Sequence, residues 1–404
     1  MVLTSTEGQQ GLPRYFANVF DIAARMPVGR LDFVLPDGRR FRAEGRTPGR
    51  VAEVEIHSSD VFTRLIREGE LGLCDAYLEG DWSTPDLQAF LDLLNSGNEE
   101  LYRGFPGQGI LRAIERFRHW MNSNTKEQAR ENISYHYDLG NEFYALWLDE
   151  TMTYSSALFE TGQESLAAAQ TAKYAALVDQ MGLAPGDHVL EIGCGWGGFA
   201  EYAAGERGLR VTGLTISEEQ LKFARERIEK AGLSDRVDLK MQDYRDETGR
   251  FDGIASIEMF EAVGEKYWPV YFQKVRDCLK PDAKAALQII TIDERRFEVY
   301  RKGVDFIQKY IFPGGMLPSK TALQAEVVKA GLAVEKMRGF GESYSQTLRR
   351  WHESFNDHWD RISAMGFDER FRRMWNFYLT SCAASFHGGN CDVVQITVSN
   401  PGTT

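Results

Sequence analysis

The sequence predicts an α/β protein: a doubly wound, mainly parallel sheet with a smaller N-terminal α+β domain. Two observations carry this. From about residue 165 onward, apolar strand patterns alternate with helical ones, which implies right-handed crossovers and a sheet covered on both faces. Residues 1 to about 120 instead mix short alternating stretches with amphipathic ones. With 404 residues and 43% hydrophobic content, the chain is long enough for two or three domains with ample cores. We place the division at 1–122 and 123–404.

Taken in order, "GRLDFVLPDGRRFRAEG" carries Asp37-Gly38 between apolar runs and reads as a hairpin, and "VAEVEIHS" reads as a third strand. "SSDVFTRLIREGELGLCDAYLEG" and "TPDLQAFLDLLNS" have apolar residues at helical spacing, the second opened by Thr84 with Pro85 at the first helical position. "RAIERFRHWMNSNTKEQARENIS" then gathers Arg112, Arg116, Arg118, Lys126 and Arg130 around Trp120 and reads as a linker: a solvated helical surface or, more sharply, a membrane-facing basic patch. Next come "SLAAAQTAKYAALVDQMGL", "HVLEIG", "GFAEYAAGER", "RVTGLTIS", "EEQLKFARERIEKAGL", "RVDLKMQD", "FDGIASIEMF", "YFQKVRDCLK" and "KAALQIITI", helix and strand in turn. Residues 293–404 add aromatic-rich helical segments and a last strand, "DVVQITVS".

Lys plus Arg number 47 against 59 Asp plus Glu, so the net charge of −12 argues against nucleic acid as a partner and against broad attraction to anionic membranes. Five cysteines at irregular spacings form no CxxC pair and no His/Cys cluster, which fits free thiols in a reducing cytoplasm and no metal. There is no cationic start followed by an apolar core, nor an apolar run long enough to span a bilayer, so any membrane contact is expected to be peripheral.

"VLEIGCGWGGFAEYAA", residues 189–204, runs from a strand through three alternating glycines into a helix. Gly193, Gly195 and Gly197 let the backbone approach a ligand while the helix aims its first amides at it. An NAD site would follow with an acidic residue at the end of the next strand, but that strand ends "GLTIS", offering Thr215, Ser217 and then Gln220. Glu191 ahead of the glycines and Asp243 after the third strand, placed to accept from an adenine amine, favour S-adenosylmethionine instead. A dehydrogenase stays open if Thr215 and Ser217 can hold an NAD ribose.

The sequence resembles the cyclopropane-fatty-acid synthase family of class I S-adenosylmethionine-dependent methyltransferases in "YHYDLGNEFYALWLDETMTYSSALF", "LEIGCGWGGFA", "GLTISEEQ", "FDGIASIEMFEAVG" and "GVDFIQKYIFPGGMLPS", spanning residues 134–319. The resemblance implies a seven-stranded methyltransferase sheet, with Tyr154 and Ser155 near the methionine end of the cofactor, the three glycines along its backbone, Thr215 and Gln220 at the ribose, and Gln242 with Asp243 at the adenine. It also implies a bound bicarbonate as base, held by a Cys, a Glu, a His, a backbone amide and a Tyr. Glu261 in "MFEAVG" and Tyr344 in "FGESYSQTL" match, Ile290 falls at the backbone contact, and Ser156 and Gln288 stand where the Cys and His belong. Neither reproduces a protonatable imidazole. His136 reads as a hydrogen-bonded residue fixing its loop, and "IFPGGMLPS" as either a lid over an acyl tunnel or a turn between core elements.

Methylating an alkene leaves a carbocation, which needs a dry pocket with aromatic faces; Tyr137, Phe143, Tyr144, Trp147, Phe306, Tyr310 and Phe312 are candidates, though each one singly reads first as core packing. The expected function is methyl transfer to the double bond of an unsaturated phospholipid acyl chain without ring closure, marked by Ser156 and Gln288. Cyclopropanation with bicarbonate, a small-molecule methyltransferase and a non-catalytic lipid-binding protein are the alternatives. The expected setting is the inner face of the cytoplasmic membrane, with a homodimer and a partner oxidoreductase compatible with it.

Overall fold

The computed structural model describes residues 1–95 and 139–402. The basic stretch from Arg112 to Arg130, the expected boundary at 122/123, and His136 and Tyr137 lie outside the described residues.

Five strands form the N-terminal sheet: β1 (Val2–Leu3), β2 (Val28–Val34), β3 (Arg40–Glu44), β4 (Thr47–Ile56) and β5 (Trp82–Ser83), in the order β1-β3-β2-β4-β5. The expected hairpin is β2 with β3, antiparallel from Arg30↔Glu44 to Val34↔Arg40, and the third strand, β4, returns to pair parallel with β2. Ala52, Val54 and Ile56 of β4 are buried, as their alternation with polar residues requires. The helices here are α1 (Phe16–Ala23), α2 (Asp60–Glu68), α3 (Glu70–Glu79) and α4 (Leu87–Asn95). The helical run after Ser58 is parted at Gly69, whose φ of 65° no helix accommodates. Thr84 and Pro85 precede α4 rather than open it, because Asp86 Oδ1 accepts the Ala89 amide (2.8 Å) and caps the helix.

After α5 (Asn141–Ala145), the alternation is as expected as far as β10: α6 (Leu166–Met181), β6 (His188–Ile192), α7 (Gly198–Gly205), β7 (Arg210–Thr215), α8 (Glu218–Lys230), β8 (Val237–Met241), β9 (Phe251–Ile257), α9 (Trp268–Cys278) and β10 (Leu279–Ile292); then come α10 (Glu294–Tyr300), α11 (Phe306–Tyr310), α12 (Lys320–Lys329), β11 (Ala333–Gly339), a strand the sequence pattern does not announce, α13 (Gly341–Asp357), α14 (Trp359–Ala364), α15 (Glu369–His387) and β12 (Cys391–Ser399). The seven strands run in the order β11-β12-β10-β9-β6-β7-β8; β10 through β8 are parallel and β12 is antiparallel to both neighbours. Alternation sorts the strand residues onto two faces. Val189, Val211 and Leu239 meet α6, α7 and α8, whereas Leu190, Leu214 and Ile254 meet α9 and α12.

A third core joins the N-terminal sheet to the C-terminal helices. Trp82 and Phe90 pack in one buried cluster with Trp351, Trp375 and Phe377, and the Tyr77 and Phe377 rings lie 5.6 Å apart. Asp75 of α3 takes the Lys309 ammonium (2.9 Å) and the Tyr310 hydroxyl (2.5 Å) of α11.

Candidate active site

The carboxyl ends of β6 to β10 converge on one cavity of about 1030 Å³, the place where open α/β sheets bind ligands. Gly193 (φ 83°) and Gly195 (φ 51°) open its floor. A Cβ on Gly193 would lie 2.9 Å from Met259 Cγ, so this loop packs directly on the segment after β9, whereas a Cβ on Gly195 would meet nothing within 4 Å. Gly197 does not line the cavity and caps α7. Thr215 Oγ1 accepts the Ser217 amide (3.1 Å) and donates to Gln220 Oε1 (3.2 Å). Gln242 donates to Glu247 (3.1 Å), and the Asp243 carboxylate holds Arg245 through its amide (2.9 Å), Nε (2.8 Å) and Nη2 (2.6 Å). Tyr154 and Tyr378 share a hydroxyl hydrogen bond of 2.7 Å, and Ser155 Oγ accepts from the buried Lys173 ammonium (2.6 Å).

These residues suit a ligand rich in N–H and O–H donors. Glu191 is 3% exposed at the cavity wall, and its Oε2 has no hydrogen-bond partner among the described residues. With the open space above Gly195, this orphaned acceptor fits the cofactor expected from the sequence. Burial pushes the Glu191 carboxyl up to about 8 from its ordinary 4.5. The folded chain therefore keeps a proton that the unfolded chain loses earlier, and this contribution to stability, full below 4.5, is lost as pH rises through 8. Lys173, held down to about 7 by burial, adds stability in the opposite sense above that pH. The urea midpoint of the ligand-free protein is expected to fall between pH 4.5 and 7, and Glu191→Gln to flatten that fall.

One carboxylate at the cavity wall is not among the residues singled out from the sequence. Glu258, directly after β9, turns its carboxylate inward: Oε1 accepts the Ser156 amide (2.8 Å) and Gln288 Nε2 (2.8 Å), and Oε2 accepts the Tyr344 hydroxyl (2.6 Å). Glu258 and Tyr344 line the cavity, whereas Ser156 and Gln288 lie fully buried behind them. Ser156 Oγ is turned away onto Ala157 O (2.9 Å), so its amide, not its hydroxyl, faces the carboxylate. The Gln288 amide is oriented by a buried chain: its Oε1 accepts from Gln395 (3.1 Å), whose Oε1 accepts from Gln180 (2.7 Å), whose Oε1 accepts from Thr397 (2.8 Å). Only Nε2 is then left to face Glu258.

Ile290 donates its amide to Glu261, not to a separate anion, and Glu261 Oε2 has no hydrogen-bond partner among the described residues. Burial and the neighbouring Glu258 charge lift Glu261 to about 8, so at neutral pH it carries the proton. Glu258 is raised by burial too, but the nearby Lys173 charge and its three donors pull it down. Both neighbouring carboxyl groups are thus raised by burial, and only Glu258 has a nearby cation and three donors that favour its ionised form. The second acid, three residues before Glu261 at a parallel strand's carboxyl end, was the available signal.

Of the aromatic candidates, Phe306 and Phe312 line the cavity. Phe143, Tyr144 and Trp147 do not; they are sealed in the core shared with α13 and α15, where aromatic faces find better packing than at a ligand site. Tyr310 is tied to Asp75 instead. Tyr344, which donates to Glu258, lies 4.4 Å from Phe386 ring to ring, and both line the cavity with Tyr154 and Tyr378. The segment 311–319 is anchored through the Met316 amide on Glu261 O (2.8 Å) and Gln308 Nε2 on Gly315 O (2.9 Å).

A seven-stranded sheet with its glycine loop, Thr215, Gln220 and acidic Asp243 around one cleft is the frame of an S-adenosylmethionine-dependent methyltransferase. Residues 124–396 match the mycolic acid cyclopropane synthetase family, and the chain belongs to that family, whose members methylate fatty acyl chains. It is 38% identical to the tuberculostearic acid methyltransferase of Mycobacterium tuberculosis over 392 residues, 92% of this chain and 88% of the relative. To the cyclopropane-fatty-acyl-phospholipid synthase of Escherichia coli it is 37% identical over 351 residues, 86% and 88% of the two chains. Among solved structures, mycolic acid cyclopropane synthase CmaA1 complexed with S-adenosylhomocysteine and CTAB matches with a TM-score of 0.63 and 30% identity, covering 67% of this chain and 98% of that one. No described helix is long and apolar enough to cross a membrane.

Proposed function

We propose that this protein transfers a methyl carbon to the double bond of an unsaturated phospholipid acyl chain and leaves a methylene branch rather than a ring. One observation carries the reading: the donors that the resemblance assigns to a bicarbonate, at Ser156, Gln288 and Tyr344, are already taken by the Glu258 carboxylate. Ser156 and Gln288 therefore bear on the product by holding Glu258, not by meeting substrate. The similarity to the tuberculostearic acid methyltransferase supports the same product class.

S-adenosylmethionine supplies an electrophilic sulfonium methyl when bound. Tyr154, Ser155, Gly193, Gly195, Thr215, Gln220, Gln242 and Asp243 would hold it, and Gly197 would set the helix whose first amides face it. The chain's task is to place an alkene beside that methyl and keep water from the cation that follows. The cavity runs from the glycine loop past Tyr154 and Tyr344 to Leu71, Leu91 and Leu94 of the N-terminal helices, a length and lining suited to an acyl chain. The N-terminal domain, 1–122, and the basic stretch 112–130 would bring the site to the bilayer, with 123–404 carrying the chemistry. Saturating a methylene branch takes a reductant, so a partner oxidoreductase belongs to this reading.

Incubating the purified protein with S-adenosylmethionine and monoene phospholipids is expected to give chains one carbon heavier with vinyl protons in the NMR spectrum. High-field ring protons would establish cyclopropanation instead.

A further inference from the structure

We infer that Glu258 is the general base of this enzyme, a carboxylate carried by the chain itself in the nest where a free anion would otherwise have to bind. The inference rests on the alkene-methylation reading above and names the residue that completes it.

Three observations lead to it. First, Glu258 lines the cavity between the cofactor loop and an aromatic wall: its neighbour Met259 packs on Gly193, its donor Tyr344 stands beside Phe386, and all of these residues line the cavity. Second, its backbone is held at φ 50°, a left-handed conformation that costs a residue with a side chain about 1–2 kcal/mol. Strain of this kind persists where the surroundings over-determine it, and at functional sites it is part of the mechanism. Third, its donors are themselves fixed, the Gln288 amide by the chain through Gln395 and Gln180, and Tyr344 by its place in α13 against Phe386 of α15. A base anchored in this way keeps its position when the alkene arrives.

The step balances as follows. The alkene π pair forms the new C–C bond as the methyl's C–S pair remains on sulfur, and the charge is left on the adjacent chain carbon. A hydride shift moves that charge to the methylated carbon. Glu258 then takes a proton from the new methyl group, and the freed C–H pair becomes the methylene double bond. The carboxylate becomes a carboxylic acid, and the proton leaves to solvent between turnovers.

The test compares the wild type with Glu258→Gly and Glu258→Gln in carbon-dioxide-depleted buffer. Glycine takes the left-handed backbone without strain, so Glu258→Gly is expected to fold. The wild-type rate should be indifferent to added bicarbonate. Both variants should lose at least about 100-fold in kcat, within the range for removal of a general base, while binding S-adenosylmethionine by calorimetry within a few-fold of wild type. In Glu258→Gly, added formate, acetate or bicarbonate should restore the rate saturably and raise the melting temperature, with neither effect in the wild type. Wild-type rates in both variants without added anion would overturn the inference, as would a wild type that needs bicarbonate, or a slow Glu258→Gly whose rate and melting temperature ignore all three anions. A wild type inactive on every unsaturated lipid would defeat the proposed function instead, while the melting shift would still report whether Glu258 fills an anion nest.

Discussion

Gly193→Val is expected to abolish S-adenosylmethionine binding and to destabilise the fold by about 3 kcal/mol. The backbone at Gly193 has φ 83°, where a β-branched residue is a steric outlier, and the new Cβ would lie 2.9 Å from Met259 Cγ and 3.2 Å from Met259 Cβ. Relief can come only by moving the loop or the segment holding Met259, and either movement spoils the cleft. Gly195→Ala is the informative contrast. Its Cβ meets no protein atom within 4 Å, so stability should fall only by the conformational term of about 1 kcal/mol, yet the methyl projects into the space proposed for the cofactor. Calorimetry on both variants, with urea midpoints, separates the two effects. Unimpaired binding by Gly195→Ala would remove the cradle from the argument and leave Gly193 as packing alone.

Gln288→Leu should cost about 3 kcal/mol of stability and at least tenfold in kcat, with little change in cofactor affinity. Gln288 is fully buried; leucine strands the Gln395 amide and deprives Glu258 Oε1 of one of its two donors. A buried polar group left without its partner costs about 1–3 kcal/mol. Gln288→Leu combined with Gln395→Leu removes both ends of one bond and should recover part of the stability without recovering turnover. Urea unfolding and steady-state kinetics on the single and double variants test this. Turnover restored by the double variant would mean that Gln288 matters only as packing.

The doubly wound sheet was legible because short apolar runs and period-3.6 patterns alternate from Leu166 to Ile292, and Gly182, Gly193 and the capping Ser217 fall where they switch. The places of Gly193, Thr215 and Asp243 on the cleft were legible for the same reason: they lie at or just after strand ends, and strand ends can be counted. The N-terminal part was readable element by element, but β4 pairing in parallel with β2, and the core shared with α13 and α15 across hundreds of residues, are tertiary choices that local patterns do not encode. Glu258 escaped for a different reason. "IEMFE" offers two acids, and the resemblance directed the reading to Glu261; which carboxylate enters the nest is decided by the left-handed turn at Glu258, a backbone angle invisible in composition or spacing. Phe143, Tyr144 and Trp147 take the core-packing reading, while Phe306 and Phe312 line the cavity, a division the sequence could not make because nothing in it tells a ring that faces substrate from one that faces another ring.

The turn at Glu258 also has a genetic side. Glycine is the residue that conformation favours, and glycine and glutamate codons (GGA and GAA, for instance) differ by a single base. A point mutation therefore separates a chain that brings its own carboxylate from one whose nest must be filled from solution, with no rearrangement of Ser156, Gln288 or Tyr344 required first. Dependence on dissolved carbon dioxide becomes a trait that such a lineage can gain or shed in one step.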